Sequence, residues 1–275
     1  MPFTKTLLLG FIAGVTILLG LPVGRLRAPH AGLRQFLNAL AVGILLFLVW
    51  DVLSHAYEPL DRALGDLHDG TGGIGAVLGY GGLFFGGLGV GLLSLVQYER
   101  WLSGRTPART TAPAGQAERR ETPLPAPRLA LLIAVGIGLH NFGEGLAIGG
   151  SAALGAIGLA TILVIGFGLH NSTEGFGIVA PLAAAGQRPS WGFLLLLGLI
   201  GGGPTTLGTA VGWQFTSDAL STLFFTLAAG SILYVVLQLL GIAQRSARRD
   251  PLYWGVLLGL VAGFLTDMVV TAGGA

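Results

Sequence analysis

Long apolar runs separated by short polar connections fill the chain from its first residues to its last. A helix that crosses a bilayer needs about 20 mostly apolar residues, and eight segments of the sequence meet this requirement. These segments are residues 3–23, 36–57, 72–96, 129–150, 154–182, 191–215, 220–243 and 252–271. The pattern predicts an all-α, polytopic membrane protein whose eight transmembrane helices form one domain, residues 1–275.

The composition supports a membrane protein and excludes several other classes. Charged residues make up 10% of the chain and apolar residues 52%, and the mean hydropathy is +0.76. Soluble domains carry about 25% charged residues, so this chain has too few charges to cover a water-exposed surface. The net charge of +2 argues against a nucleic-acid partner, and a lipid bilayer is the expected surrounding. The chain contains no cysteine, which leaves neither disulfides nor thiolate metal sites.

Basic residues are divided unequally between alternate connections. Of the 15 Lys and Arg residues, 13 lie in the connections after spans one, three, five and seven. Positive charge stays on the cytoplasmic side of membrane proteins, so both termini are predicted to be extracytoplasmic. The longest connection, residues 97–127, mixes Arg, Glu, Thr, Ala and Pro, and it is predicted to be a flexible cytoplasmic loop within the domain.

One short motif occurs twice, near the middle of spans four and five. It reads HNFGEG at residues 140–145 and HNSTEG at residues 170–175. Residues four apart lie on one face of a helix, so His140 faces the same way as Glu144, and His170 the same way as Glu174. The connection between these spans is short, which makes them antiparallel. The two motifs are therefore predicted to face each other near the bilayer midplane, as inverted half-sites do in transporters.

The residue types of the motif indicate a metal ion. A carboxylate in hydrocarbon is costly and almost always faces a cavity or a partner, and a divalent cation between two carboxylates and two imidazoles would turn that cost into binding energy. Imidazole and carboxylate suit Zn²⁺ and Fe²⁺. The plainer alternative is that each His–Glu pair is only an intrahelical hydrogen bond, but two matched pairs in mid-membrane favour a metal site.

The eight spans, the long loop after span three and the paired motifs resemble the ZIP (Zrt/Irt-like) family of divalent metal transporters, in particular its bacterial branch. The resemblance implies a 3+2+3 inverted-repeat bundle, an elevator-like carrier, often a homodimer, in the bacterial inner (plasma) membrane. It also implies that the metal is transported cargo and not a cofactor, with Zn²⁺ first and Fe²⁺, Mn²⁺, Co²⁺ and Cd²⁺ also compatible. The implied metal ligands are His140, Asn141, Glu144, His170, Asn171 and Glu174.

Two features depart from the pattern of that family. Gly143 and Thr173 stand where members carry the proline before each motif glutamate, so a proline kink is not expected at either place. Thr205 in span six stands where bacterial members often place a further glutamate. Thr205 is therefore a candidate auxiliary residue, and a second bound metal is not expected.

Further ionisable residues lie nearer the predicted outer surface. Asp51, His55 and Glu58 of span two share one helix face and are predicted to form an entrance for the cation. An acidic outer loop would raise the local cation concentration. The residues of that loop are Asp61, Asp66, His68 and Asp69. Solvation of a helix end is an equal alternative for Glu58 and the loop, and helix packing is an equal alternative to an auxiliary role for Asp267 in span eight.

Two other functions compete with metal uptake at this stage. An intramembrane metalloenzyme would use a bound metal to activate water, but the His-Glu-x-x-His arrangement on one helix is absent. A passive cation channel would suit carboxylate rings, whereas imidazole is unnecessary for alkali ions. The sequence therefore predicts uptake of divalent transition-metal ions by a protein that is not an enzyme.

Overall fold

Helices are the only regular elements among the residues that the computed structural model describes, which are 1–25, 31–105, 125–155, 157–214, 217–244 and 249–272. They are α1 (Phe3–Val15), α2 (Ile17–Gly20), a 3₁₀ helix (Leu21–Arg25), α3 (Ala31–His68), α4 (Ile74–Arg105), α5 (Ala126–Ala153), α6 (Ile157–Ala184), α7 (Trp191–Gln214), α8 (Asp218–Ala243) and α9 (Asp250–Ala272). Backbone groups in lipid find no water, so they are satisfied within their own helix.

Seven stretches of the described residues are long and apolar enough to cross a membrane. The first combines α1, α2 and the 3₁₀ helix, and the others lie in α3, α4, α5, α7, α8 and α9. The remaining long helix, α6, has 28 residues. At 1.5 Å per residue that is about 42 Å, which exceeds the roughly 30 Å hydrocarbon core. The predicted all-α polytopic architecture is confirmed.

The first span is broken and not continuous as the apolar pattern predicts. α1 ends at Val15 and α2 begins at Ile17. Between them, the hydroxyl of Thr16 donates a hydrogen bond of 2.6 Å to the carbonyl oxygen of Ala13. A threonine that bonds back to the preceding turn competes with the helical ladder and bends it.

α3 extends far beyond the predicted span of residues 36–57. It has 38 residues, about 57 Å at 1.5 Å per residue. The predicted irregular acidic loop is wrong over residues 58–68, which are helical. Most of these residues are good helix formers, and Arg62 forms an ion pair of 2.9 Å with Asp218 of α8. The acidic residues of this segment therefore stand on a helix end that projects past the lipid.

α4 also runs further than predicted. Residues 97–105, which the sequence assigns to the cytoplasmic loop, form its last turns. The central part of that predicted loop, residues 106–124, lies outside the described part of the chain. α5 begins at Ala126 with Pro127 in its first turn, where proline is tolerated because its missing N–H has no helical partner there.

The long helices form two packed groups. In the first group α7 packs against α1 and α5, and α6 packs against α1, α2 and α5; in the second group α3 packs against α9 and α8, and α4 packs against α8. The groups meet where α5 contacts α8 and where α6 contacts α3. Exchanging the first three spans with the last three, and α5 with α6, maps most of the helix contacts onto one another, although the contact of α6 with α9 has no comparable counterpart in the described part of the chain. This is the pairing that a 3+2+3 inverted repeat requires.

Glycine brings helices within each group into backbone contact. A methyl group added to Gly145 of α5 would overlap the carbonyl oxygen of Thr205 of α7, and one added to Gly208 of α7 would overlap that of Phe142 of α5. Equivalent glycine pairs join two helices of the first group or two helices of the second group. They are Gly14 with Gly202, Gly20 with Gly175, Gly43 with Gly259, and Gly91 with Gly230. Small residues allow such close approach in lipid, where burial of apolar surface does not hold helices together.

Across the boundary between the groups, the described glycines meet side chains instead. Gly136 faces Ser231, Gly143 faces Phe225, and Gly177 faces Leu45. Close contacts of glycine with backbone are therefore found within the groups, whereas the described glycines at the boundary meet side chains.

The packing at Gly208 gives a prediction on stability. Gly208→Ala should lower the thermal unfolding midpoint of the purified protein in detergent, because the added methyl group forces α5 and α7 apart. Overpacking of this kind costs about 1–3 kcal/mol. Gly79→Ala is the matched control, since nothing lies within 4 Å of a Cβ added there, and its midpoint should stay unchanged or rise slightly. Equal losses in the two variants would contradict the packing argument.

Candidate metal-binding site

Three of the predicted ligands come together between α5 and α6. His140 Nε2 lies 3.3 Å from Glu144 Oε1 on the same helix and 3.6 Å from Glu174 Oε1 on the neighbouring helix. The three side chains are 3%, 2% and 0% exposed, respectively. The i, i+4 spacing accounts for the first contact, and the antiparallel arrangement of the two helices accounts for the second.

The two motif asparagines make matching contacts to opposite neighbours. Asn141 Nδ2 donates a hydrogen bond of 2.9 Å to the carbonyl oxygen of Gly201 in α7. Asn171 Nδ2 donates one of 2.9 Å to the carbonyl oxygen of Ala13 in α1. Both asparagines are fully buried, and each Oδ1 accepts no hydrogen bond from the described residues. The backbone contact thus fixes each amide and leaves its oxygen available as a donor to a metal.

Both acceptor carbonyls lie beside helix irregularities. Pro204 lies inside α7 three residues after Gly201, and the break at Thr16 follows Ala13 in the first span. Proline removes a helical hydrogen bond and its ring pushes against the preceding turn, while the Thr16 hydroxyl bends the first span. The two asparagine contacts therefore join α5 to α7 and α6 to the first span through backbone carbonyl groups.

The described residues balance the charge in this cluster only in part. Within the described part of the chain, the ion pairs of Glu144 and Glu174 involve His140 and no lysine or arginine. The side-chain amide of Asn141 also interacts with Glu174, although no hydrogen bond of standard geometry joins them. Burying an ionised carboxylate without full compensation costs several kcal/mol. One imidazole can neutralise at most one of the two carboxylates, so the cluster is suited to a cation.

The distances suit a transition-metal ion. A tetrahedral Zn²⁺ with bonds of about 2.0–2.1 Å places its ligand atoms about 3.3–3.4 Å apart, close to the 3.3 and 3.6 Å that separate His140 Nε2 from the two carboxylates. Three or more His, Asp or Glu side chains around one metal position are not found in the described part. His170 is one turn before Glu174 on α6, and its side chain lies outside that part.

The predicted entrance residues differ in their exposure and in their distance from the buried cluster. The side chain of Asp51 is 13% exposed and that of His55 is 56% exposed, and His55 Nδ1 lies 3.7 Å from Asp51 Oδ1. Asp51 is within electrostatic range of both His140 and Asp267. The structure therefore brings Asp51 and His55 near the buried cluster and Asp267 near Asp51, whereas Glu58 stands further along α3 and is exposed.

Thr205 is fully buried in α7. Its side chain packs against Gly14 of the first span, and its carbonyl group packs against Gly145, next to Glu144. Its hydroxyl oxygen has no hydrogen-bond partner among the described residues. The predicted auxiliary residue is thus a neutral group packed between helices of the first group.

Sequence reasoning missed Phe225 of α8. The centroid of its ring lies 6.1 Å from that of His55 and 6.2 Å from that of His140. A single phenylalanine in an apolar span carries no signal of its own, and the contact joins residues that are far apart in the chain. The backbone acceptors of Gly201 and Ala13 were missed for a similar reason, because every residue carries a carbonyl group.

The unbalanced charge gives a second prediction. Glu144→Gln should raise the unfolding midpoint of the metal-free protein, because a neutral amide removes a burial penalty of about 1–3 kcal/mol. The same change removes an anionic donor, so Zn²⁺ should stabilise this variant less than the native protein. Thermal unfolding with and without Zn²⁺ measures both effects, and Asp69→Asn, at an exposed position, should change neither. A lower midpoint together with an undiminished response to Zn²⁺ would refute this account of the cluster.

Comparison with known proteins agrees with the helix arrangement and the motifs. A family model described as ZIP zinc transporter matches residues 102–266, which is more than half of the 275-residue chain. The matched range includes both copies of the His-Asn-x-x-Glu-Gly motif. A search of curated proteins gives no match. The extent of the family match shows that this chain belongs to the ZIP zinc transporter family.

Proposed function

We propose that this protein takes up divalent transition-metal ions, with Zn²⁺ as the preferred ion, through a site between α5 and α6. The ligands of that site are His140, Asn141, Glu144, His170, Asn171 and Glu174. The observation that carries the proposal is the position of His140 Nε2, within 3.3 and 3.6 Å of carboxylates from two different helices. A cation at this place would balance the charge that the surrounding protein leaves uncompensated.

Family membership gives the general activity. The protein transports divalent metal ions across a membrane and is not an enzyme, so the metalloenzyme alternative falls away. The metal is cargo and not a cofactor. The donor set of imidazole, carboxylate and amide oxygen suits Zn²⁺ and also accepts Fe²⁺, Mn²⁺, Co²⁺ and Cd²⁺. Without a thiolate the site would bind less tightly than a structural zinc site, which lets the ion leave.

Asp51 and His55 form the entrance in this proposal, with Asp267 beside them and Glu58 further out. The exposed His55 would meet the incoming ion first, and the half-buried Asp51 would attract it electrostatically. Asp51 interacts electrostatically with both His140 and Asp267, which supports a short path from this entrance to the central site.

A carrier fits the packing better than a passive channel. The side chains of His140, Glu144 and Glu174 are at most 3% exposed, so an ion bound among them would be closed off from water. Release then requires a conformational change. The boundary between the two helix groups runs past this site, where α5 contacts α8 and α6 contacts α3, and a displacement of one group against the other supplies such a change.

The direction of transport follows from the predicted topology. The unequal distribution of Lys and Arg places both termini outside the cytoplasm, and the side of the entrance residues is then the outer one. The proposed location is the bacterial inner membrane. Uptake into the cytoplasm is the direction that this orientation supports.

One bound ion is proposed, not two. Two divalent ions bring four positive charges, of which Glu144 and Glu174 would neutralise half. Two such ions about 4 Å apart repel by several kcal/mol or more, even at an effective dielectric constant near 20. The hydroxyl of Thr205 supplies no compensating charge.

Metal flux into proteoliposomes tests the central site. Glu144→Ala and Glu174→Ala should each abolish uptake, because each removes an anionic ligand, and Asp250→Asn, at an exposed position away from the predicted entrance, should transport like the native protein. His55→Ala should slow uptake at low metal concentration without abolishing it. Transport by Glu144→Ala at the native rate would exclude the proposed site.

Metal stoichiometry tests the single-ion proposal. Elemental analysis after equilibrium dialysis should give about one tightly held Zn²⁺ per chain, the charge-balanced number for two carboxylates. Thr205→Glu adds a third carboxylate and should allow a second ion. Two ions on the native chain, both lost in Glu144→Ala, would contradict the proposal.

A further inference from the structure

One aromatic ring neighbours both the exposed histidine of the entrance and the buried histidine of the central site. The ring of Phe225 is 6.1 Å from that of His55 and 6.2 Å from that of His140, measured between centroids. The side chain of His55 is 56% exposed and that of His140 is 3% exposed. The exposed fraction thus falls from 56% to 3% between two histidines that neighbour the same ring.

The ring is seated in a notch of α5 that only glycine can provide. A Cβ atom added to Gly143 would overlap the edge of the Phe225 ring, at Cε1 and Cδ1. Gly143 directly precedes Glu144, so the notch adjoins a carboxylate of the central cluster. The rest of the Phe225 side chain packs against the hydrophobic core.

We propose that Phe225, seated on Gly143, is the barrier that separates the entrance residues Asp51 and His55 from the central site. The proposal rests on the proposed function, since it assigns a route to the same site. A hydrated divalent ion is not stabilised against an apolar ring, and hydrophobic constrictions close pathways by excluding water. An ion therefore reaches His140 and Glu144 only when the ring leaves its notch.

The position of the ring links this step to the movement of the helix groups. Phe225 belongs to α8 in the second group, and Gly143 belongs to α5 in the first group. A shift of one group against the other withdraws the ring from the notch and opens the path, and the reverse shift closes it. Phe225 is thus a gating residue that acts through its position and does not bind the metal.

The absence of native cysteine allows the barrier to be tested with one introduced thiol. In Glu144→Cys, at a position where the native side chain is 2% exposed, a small hydrophilic thiol reagent should react slowly with the purified protein in detergent. Adding Phe225→Ala should accelerate labelling by at least about tenfold, because modification of a buried group follows the population of open forms. An unchanged rate would overturn the proposal.

Two further variants separate a gate from general loosening. Phe224→Ala removes the neighbouring aromatic residue, whose ring packs on Phe142 at 4.5 Å, and it should leave the labelling rate unchanged. Equal acceleration by Phe224→Ala and Phe225→Ala would overturn the proposal. Gly143→Ala keeps the core side chains and fills the notch, so it should also accelerate labelling by displacing the ring.

The labelling experiment does not depend on metal transport. If Glu144→Ala carries Zn²⁺ at the native rate, the proposed function fails, while the labelling rates still report the barrier. If labelling is slow in both Phe225→Ala and Gly143→Ala, each monodisperse by gel filtration, the barrier proposal fails and the proposed function stands. The two failures are therefore distinguishable.

Discussion

Glu144 and Glu174 bring two carboxylates into a part of the bilayer where an ionised oxygen is costly to hold. In the described ion pairs, both carboxylates share the single imidazole of His140. The fold sustains this arrangement because the surrounding helices are held by other means, above all by glycine contacts. The cluster is thus kept short of a positive charge. A protein that binds an ion and releases it again depends on such an imbalance, since a fixed lysine or arginine would take the place of the cargo.

The two asparagines show how irregular backbone supports the site. Each donates to a carbonyl group of a neighbouring helix, Gly201 in α7 or Ala13 in α1. Pro204 lies close by in α7, and the first span breaks at Thr16. The same two-fold relation that pairs α5 with α7 pairs α6 with the first span. Irregular backbone is tolerated in a membrane where other protein groups satisfy it, and the asparagine side chains supply two such contacts.

The apolar runs predicted the membrane helices because lipid leaves a spanning backbone no alternative to a helix, and the i, i+4 rule predicted that His140 meets Glu144. Three features escaped the sequence. The break at Thr16 depends on the hydrogen bond from its hydroxyl to the carbonyl group of Ala13, and the residue type alone does not predict that partner. The length of α3 depends on residues beyond the lipid, which hydropathy does not describe. The contact of Phe225 with Gly143 joins distant parts of the chain, for which no spacing rule exists.

The contrast between glycine contacts within and between the helix groups has a mechanical consequence. Where backbone touches backbone, as at Gly145 and Gly208, no side chains lie between the helices to change conformation. The two helices therefore move together. Where glycine meets a side chain across the boundary, as at Gly143, rotation about a few single bonds can absorb the displacement. Each group is thus stiff, whereas the boundary between the groups is deformable. Thermal motion is therefore expected to slide one group along the other, with each group moving as a unit.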